Sequence, residues 1–432
     1  MKVILKIAVI AALSGSFIGS ARRLPAQGSA AVPFRGTVLV GYQGWFRCPG
    51  DGSPRNTWSH WSKGVPSPET LSIDLYPDVS ELSGHSLCPL PNMTIDGKQA
   101  YVFSSFAKET VEKHFEWMKE YGIDGALLQR FAGEIKSSRA EGDVVLKNVM
   151  ASAQDHDRVF AVEYDLSGSR PDTILQQLQS DWEYLVQTVG ITTSPSYLKL
   201  DGLPVVSIWG LGFAGEGDHV VDPAVGSAII HWFHDVAHVK VIGGTPAGWG
   251  TLSGDSVTDK RWAGVYAQLD VVQPWTVGRY RTLSQADAWE HTHLVPDIAL
   301  TQRNHQLYMP VIYPGFSWHN LNRDKPENQI PRLGGRFLWE QAYNAKKAGA
   351  SMVKIAMFDE VNEGTAILKA APLRRHAPQQ GYWLTLDADG DHLPNDWYLR
   401  LAGEIGLMFR GDVSPSPNLP THPGPPWPLS HP

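Results

Sequence analysis

From Pro33 onward the chain alternates between two hydrophobic rhythms. Short apolar, β-branched runs recur: Thr37 to Tyr42, Asp124 to Phe131, Val159 to Asp165, Leu307 to Tyr313 and Val353 to Phe358. Runs of this length and type predict buried strands. Three more belong to the series: Tyr197 to Trp209, folded at a hairpin-type Asp201-Gly202 turn, Val239 to Gly243, and a segment within Val265 to Trp275. Between them lie stretches of helical period. In Lys108 to Tyr121, Val111, Phe115 and Met118 recur at helical spacing with Glu and Lys between, and Gly122 stops the helix. Further helices are expected over 140–153, 172–189, 224–238, 284–306 and 334–348. Some eight strand–helix alternations predict a parallel sheet. Their number favours closure into an α/β, (β/α)8 TIM barrel, one domain over residues 33–410 with long βα loops.

A barrel gathers its strand tips on one face. Here the tips are Tyr42, Gln129, Glu163, Trp209, Trp275, Tyr313 and Glu360. The first strand runs into Trp45, and then into an irregular, Gly- and Pro-rich segment from Arg47 to Gln99. Loops of that length usually carry function. This one holds Trp58-Ser59-His60-Trp61, a mixed aromatic and polar cluster. The last strand delivers three acids within five residues, Asp359, Glu360 and Glu363, followed by Gly364 and Thr365. Acids beside a core are costly to keep without a task. Paired carboxylates are the equipment of glycoside cleavage. Positions i and i+3 of a straight strand face opposite ways. For Glu360 and Glu363 to share a site, the chain must therefore turn after Glu360.

Composition narrows the field. A formal net charge of −7 gives no basic surface for nucleic acid. Sixteen Trp suit sugar-binding clefts, although core positions absorb most Trp in any protein. Residues 1–26 read as an export signal, with Lys2 and Lys6 ahead of a short apolar stretch broken by Ser and Gly. No stable membrane span is expected, and the mature protein is expected to be secreted or periplasmic. Cys48 and Cys88 are then candidates for one disulfide. Residues 411–432 form a Pro-rich tail, with eight prolines after Ser414, expected to be extended and disordered.

Other motifs fail on context. Gly210 to Gly215 matches GxGxxG, but no helix opens within it. His231, His234 and His238 share a helix face without an HExxH pattern, so no metal site is assigned. Asp387, Asp389 and Asp391 lack the Gly and the final acid of a calcium loop. No GxSxG elbow occurs. No cofactor is implied.

With these residues in hand, the chain resembles the endo-α-mannosidases of glycoside hydrolase family 99 and the related family 71 α-1,3-glucanases. The resemblance rests on Phe358-Asp359-Glu360-Val361-Asn362-Glu363-Gly364-Thr365, where the family pattern looks like F-N-E-W-H-E-G-T. Gly41-Tyr42-Gln43-Gly44-Trp45, Val162-Glu163-Tyr164 and Asp201 to Val205 add support. It implies a barrel that cleaves α-linked glycans with retention. Glu363 would protonate the leaving oxygen, and Glu360 would deprotonate the sugar 2-hydroxyl. Tyr42 and Glu163 would contact the sugar. Asp359 in place of Asn, and Val361-Asn362 in place of Trp-His, are this chain's departures.

The expectation is therefore an exported, endo-acting glycoside hydrolase for oligosaccharides or polysaccharides. Its catalytic residues are Glu360 and Glu363. Its substrate-binding residues are Tyr42, Trp45, His60, Trp61, Gln129, Glu163, Tyr164, Trp209, Trp275, Tyr313 and Asp359. Two alternatives stand beside it: a non-catalytic glycan-binding barrel, and a metal-dependent carbohydrate esterase or deacetylase.

Overall fold

The computed structural model describes residues 33–215 and 219–420; the expected export signal lies outside them. Eight strand positions form the central sheet. They are β1 (Val38–Tyr42), β2 (Gly125–Phe131), β3 (Val159–Asp165), β4 (Leu203–Trp209), β5 (Lys240–Pro246), β6 (Val271–Trp275), the split strand β7 (Leu307–Tyr308 and Val311–Ile312) and β8 (Val353–Ile355). Each pairs in parallel with the next, and β1 pairs with β8. The split strand closes the ring: Leu307–Tyr308 pairs with β6 and Val311–Ile312 with β8. The fold is a (β/α)8 barrel, as the alternation predicted.

The helices are α1 (Lys108–Glu120), α2 (Ile135–Asp155), α3 (Ile174–Tyr184), α4 (Pro223–Asp235), α5 (Trp262–Tyr266), α6 (Leu283–Trp289), α7 (Val295–Arg303), α8 (Arg336–Lys347) and α9 (Trp397–Arg410). Val111, Phe115 and Met118 of α1 are buried, as their spacing demanded. Asp201 and Gly202 take positive φ of 52° and 81° and fold residues 199–200 back onto Leu203 and Pro204. That conformation is the primed hairpin turn expected of an Asp-Gly pair.

Three expectations need correction. Residues 47–99 are not wholly irregular, because Leu87–Ile95 and Lys98–Phe103 form an antiparallel hairpin. Pro89 and Pro91 mask it in the sequence, and Asp96-Gly97 at φ 49° and 74° is the turn signal that reveals it. Strand β8 ends at Ile355 rather than Phe358. The Pro-rich tail is not free of the barrel over its described part: Trp339 Nε1 donates to Ser416 O at 3.0 Å, and Leu419 packs on the core. Residues 421–432 lie outside the described chain.

Cys48 and Cys88 are bonded, with Cα atoms 5.9 Å apart. The bond ties the start of the long loop after β1 to its hairpin. It closes 40 residues, a loop whose entropy corresponds to about 4 kcal/mol. A Cys48→Ala/Cys88→Ala variant should lose stability on that scale in urea unfolding; an unchanged midpoint would show that the loop is held by its other contacts alone.

Candidate active site

The site is built on the segment that follows β8. After Phe358 the chain doubles back. The amides of Thr365 and Ala366 both donate to Glu360 O, at 3.1 and 3.0 Å, and Leu368 N donates to Phe358 O at 3.0 Å. Gly364, at φ 61°, occupies a left-handed position that a side chain would strain. The expected turn after Glu360 is therefore present, and it brings Glu363 close enough for its charge to act on Glu360.

Every backbone corner of this hairpin is held from outside. Asp74 N and Leu75 N donate to Val361 O, each at 3.1 Å, and Ser317 N donates to Glu363 O at 2.8 Å. Asn362 Nδ2 donates to His60 O at 2.8 Å and Ser72 O at 3.0 Å. Arg332 Nη2 donates to Gly364 O and Ala366 O, each at 2.7 Å, while its guanidinium lies over the Tyr398 ring. Asp74 also accepts from His319 N and Asn320 N, which pins the loop after β7 to the loop after β1. Val361 and Asn362, the departures from the family pattern, are thus anchors for the long loop.

The acids differ in environment. Asp359 is fully buried and accepts from Gln43 N at 2.7 Å and Gly44 N at 2.9 Å, one on each oxygen. Burial outweighs both bonds and pushes its carboxyl up to about 6. Glu360 is 3% exposed; its Oε2 accepts from Gln43 Nε2 at 2.6 Å and its Oε1 has no partner among the described residues. Burial first, then the charges of Glu363 and Asp359, raise it well above the carboxylate range. Glu363 is half-buried, and desolvation lifts it to about 7. Two interacting carboxyls so placed retain a proton near neutrality, which belongs to the pair rather than to either residue.

The other expected residues divide by the two-residue period of a strand. Lys354 on β8 donates to both oxygens of Glu163 on β3, at 2.6 and 2.8 Å, and to Gln273 on β6 at 3.2 Å. These strands are not neighbours, so the side chains meet across the barrel interior. Ser207 Oγ completes the cluster at Glu163. Glu163 therefore faces inward but is fully buried and paired with Lys354. Trp209 and Trp275, two positions beyond Ser207 and Gln273 on the same face, are half-buried at the mouth with ring centroids 5.7 Å apart.

Tyr42, Tyr164, Tyr313, Trp61 and Asp359 are corrections. Tyr42 bonds His114 of α1 at 2.9 Å, and Tyr164 donates to Asp181 of α3 at 2.9 Å. Both point outward into the helix layer; a residue next to inward-facing Gly41 or Glu163 cannot also face inward. Tyr313 donates to Tyr280 O and is enclosed beneath α8. Trp61 is buried with its Nε1 on Phe103 O. Asp359 has both oxygens committed to backbone. Trp45 remains at the mouth but is sandwiched, with His60 stacked at 3.8 Å on one neighbour side and Phe131 at 5.2 Å. His60 is exposed and offers the open ring. Gln129 is half-buried and, with Gln43, Trp45, Phe131, Val145 and Arg139, lines a cavity of about 80 Å³ between β2 and α2. Residues that the sequence reading missed are Gln43, Asp74, Arg332 and Lys354. Lys354 alone carried a signal, a lone charge inside an otherwise apolar run.

No family model and no curated protein sequence matches the chain. Solved structures do. In fold, the chain is similar to the GH99 endo-α-mannosidase from Bacteroides thetaiotaomicron. A complex of that protein with Bis-Tris propane aligns with a TM-score of 0.61 at 17% identity, covering 88% of this chain and 99% of that one. A second structure of it gives 0.60 at 16%, covering 87% and 98%. A glycoside hydrolase-like protein gives 0.54 at 14%, covering 90% and 97%. The alignment spans the whole barrel rather than a shared half.

Arg332 provides a direct test of how the hairpin is held. Arg332→Met keeps side-chain length but leaves two buried carbonyls without donors, and should cost about 3 kcal/mol in urea unfolding. Stability within a few tenths of wild type would mean that the other anchors suffice.

Proposed function

We propose that this protein is an exported, endo-acting glycoside hydrolase that cleaves α-linked glycans with retention, using Glu360 and Glu363. The observation that carries the reading is the pair itself: two acids on one braced hairpin at the C-terminal end of the last barrel strand, one of them, Glu360, with a buried oxygen that has no partner among the described residues. In barrel enzymes that end of the sheet is where chemistry is sited. The fold-level likeness to an endo-α-mannosidase makes α-mannosidic linkages the first to try.

The resemblance implies the roles. Glu360 takes the proton of the sugar 2-hydroxyl as that oxygen attacks the anomeric carbon. Glu363 gives its proton to the departing glycosidic oxygen, and a 1,2-anhydro sugar results. Water then opens the ring: Glu363 accepts its proton, Glu360 returns a proton to O2, and the starting configuration is restored. Burial suits both tasks. It keeps Glu363 protonated to about 7, and it makes Glu360 a stronger base than a solvated carboxylate. The productive state has one proton on the pair, and the reaction draws on it from Glu363 while Glu360 is ionised. The exposed His60 ring, with Trp209 and Trp275 across the mouth, supplies faces for neighbouring sugar units.

Glu363→Gln should lower kcat by about 10²–10⁴-fold on an α-linked oligosaccharide with an unchanged melting temperature. Near-normal turnover would remove Glu363 from the chemistry. Because burial holds this acid up to about 7, its proton is present below that pH and lost above it. Wild-type kcat should therefore fall as pH rises through about 7; a rate that climbs steadily to pH 9 would contradict the assignment.

A further inference from the structure

One residue at the site has no part in the scheme above. Gln43 leaves the end of β1 and reaches Glu360 on the hairpin after β8, its Nε2 2.6 Å from Glu360 Oε2. Its own backbone N–H is fixed by Asp359 Oδ1 at 2.7 Å, and the next N–H, that of Gly44, by Asp359 Oδ2. Glu360 Oε1 and Gln43 Oε1 are both buried and without a partner among the described residues. A buried carboxylate oxygen with no donor is costly unless a ligand supplies one.

We propose that Gln43 is the positioning residue of the reaction: its amide clamps Oε2 of Glu360, so that Oε1 alone is left to receive the sugar hydroxyl, while Asp359 fixes the Gln43 backbone and acts on Glu360 directly by its charge. The inference rests on the catalytic reading of Glu360. It gives Asp359 a task that does not involve the substrate. A carboxylate has two acceptor oxygens for two consecutive N–H groups, whereas an Asn at this position would turn an NH2 donor toward one of them. The arrangement also accounts for the small residue after Gln43. A Cβ on Gly44, whose φ is +63°, would come within 2.8 Å of Val145 Cγ1.

Gln43 and Asp359 act on Glu360 with opposite sign. The Gln43 N–H stabilises the ionised carboxylate, while the Asp359 charge opposes it and is the larger influence. Glu363 shares the hairpin. Other titratable or charged groups on the packed elements are Tyr42 on β1, His60 and Asp74 on the loop after it, His319 after β7, Lys354 on β8, and Arg332, which donates to the hairpin carbonyls. None of these is changed in the variants below.

The test is a carbon-detected NMR titration of glutamate-labelled protein without substrate. The Glu360 carboxyl signal is identified by its loss in Glu360→Gln. Gln43→Leu should raise the titration midpoint of that signal by about one pH unit, and Asp359→Asn should lower it by a similar amount. Gln43→Glu, a second variant at the same position, should raise it further by adding a like charge. On an α-linked oligosaccharide, Gln43→Leu should lose about 10²-fold in kcat with KM little changed. A purely structural role predicts no shift, or shifts in one direction for all variants, and either outcome overturns the inference. If Glu360→Gln proves fully active, the catalytic reading falls, while the titration still decides whether Gln43 and Asp359 set the state of Glu360.

Discussion

Asp359 accepts hydrogen bonds from two consecutive backbone amides, those of Gln43 and Gly44, and the barrel mouth depends on that junction. It joins the exit of the first strand to the exit of the last, where the ring closes. A fully buried carboxylate is tolerated there because both oxygens have donors. Without the junction, the exit of β1 would no longer be fixed beside Glu360, and Gln43 would lose its aim, although Val361 and Asn362 would still hold the later part of the loop. The remaining anchors repeat the same logic. Asp74, Asn362 and Arg332 each satisfy backbone groups of irregular segments that no sheet partner could satisfy.

This bracing has an electrostatic consequence. Holding three acids within five residues inside a packed mouth desolvates all of them, and each is displaced upward from the ordinary carboxylate range. Positive charge is kept elsewhere. Lys354 is spent on Glu163 deeper in the barrel, and Arg332 faces carbonyls and the Tyr398 ring. No cation among the described residues pairs with Glu360 or Glu363, so their protons are retained rather than displaced. That is the condition general acid–base work needs near neutrality.

The barrel was legible in the sequence because a parallel sheet covered on both faces reads as continuous apolar runs. Helix faces and the Asp201-Gly202 turn were legible for equally local reasons. The acids of the hairpin, and the need for a turn between them, could be read from spacing alone. What sequence could not separate was the side on which tip residues lie. Tyr42 and Tyr164 stand at the right height but face the helices, and the two-residue period, applied from Glu163, would have excluded Tyr164. Asp74, Gln43 and Arg332 were invisible for another reason. Their partners lie far along the chain, as with Gln43 and Glu360 at a separation of 317 residues, and polar pairing at such distance leaves no local pattern. The solved relatives, below 20% identity, support the fold over nearly the whole barrel, while the chemistry is argued from the hairpin itself.

The central claim is that Glu360 and Glu363 cleave an α-glycoside by two displacements at one carbon. Its most direct test is proton NMR of the first-formed hemiacetal during early turnover of an α-linked oligosaccharide, before the anomers equilibrate. The account predicts the α-anomer, from two successive inversions. A first-formed β-anomer would mean a single displacement by water and would contradict the roles given to both glutamates.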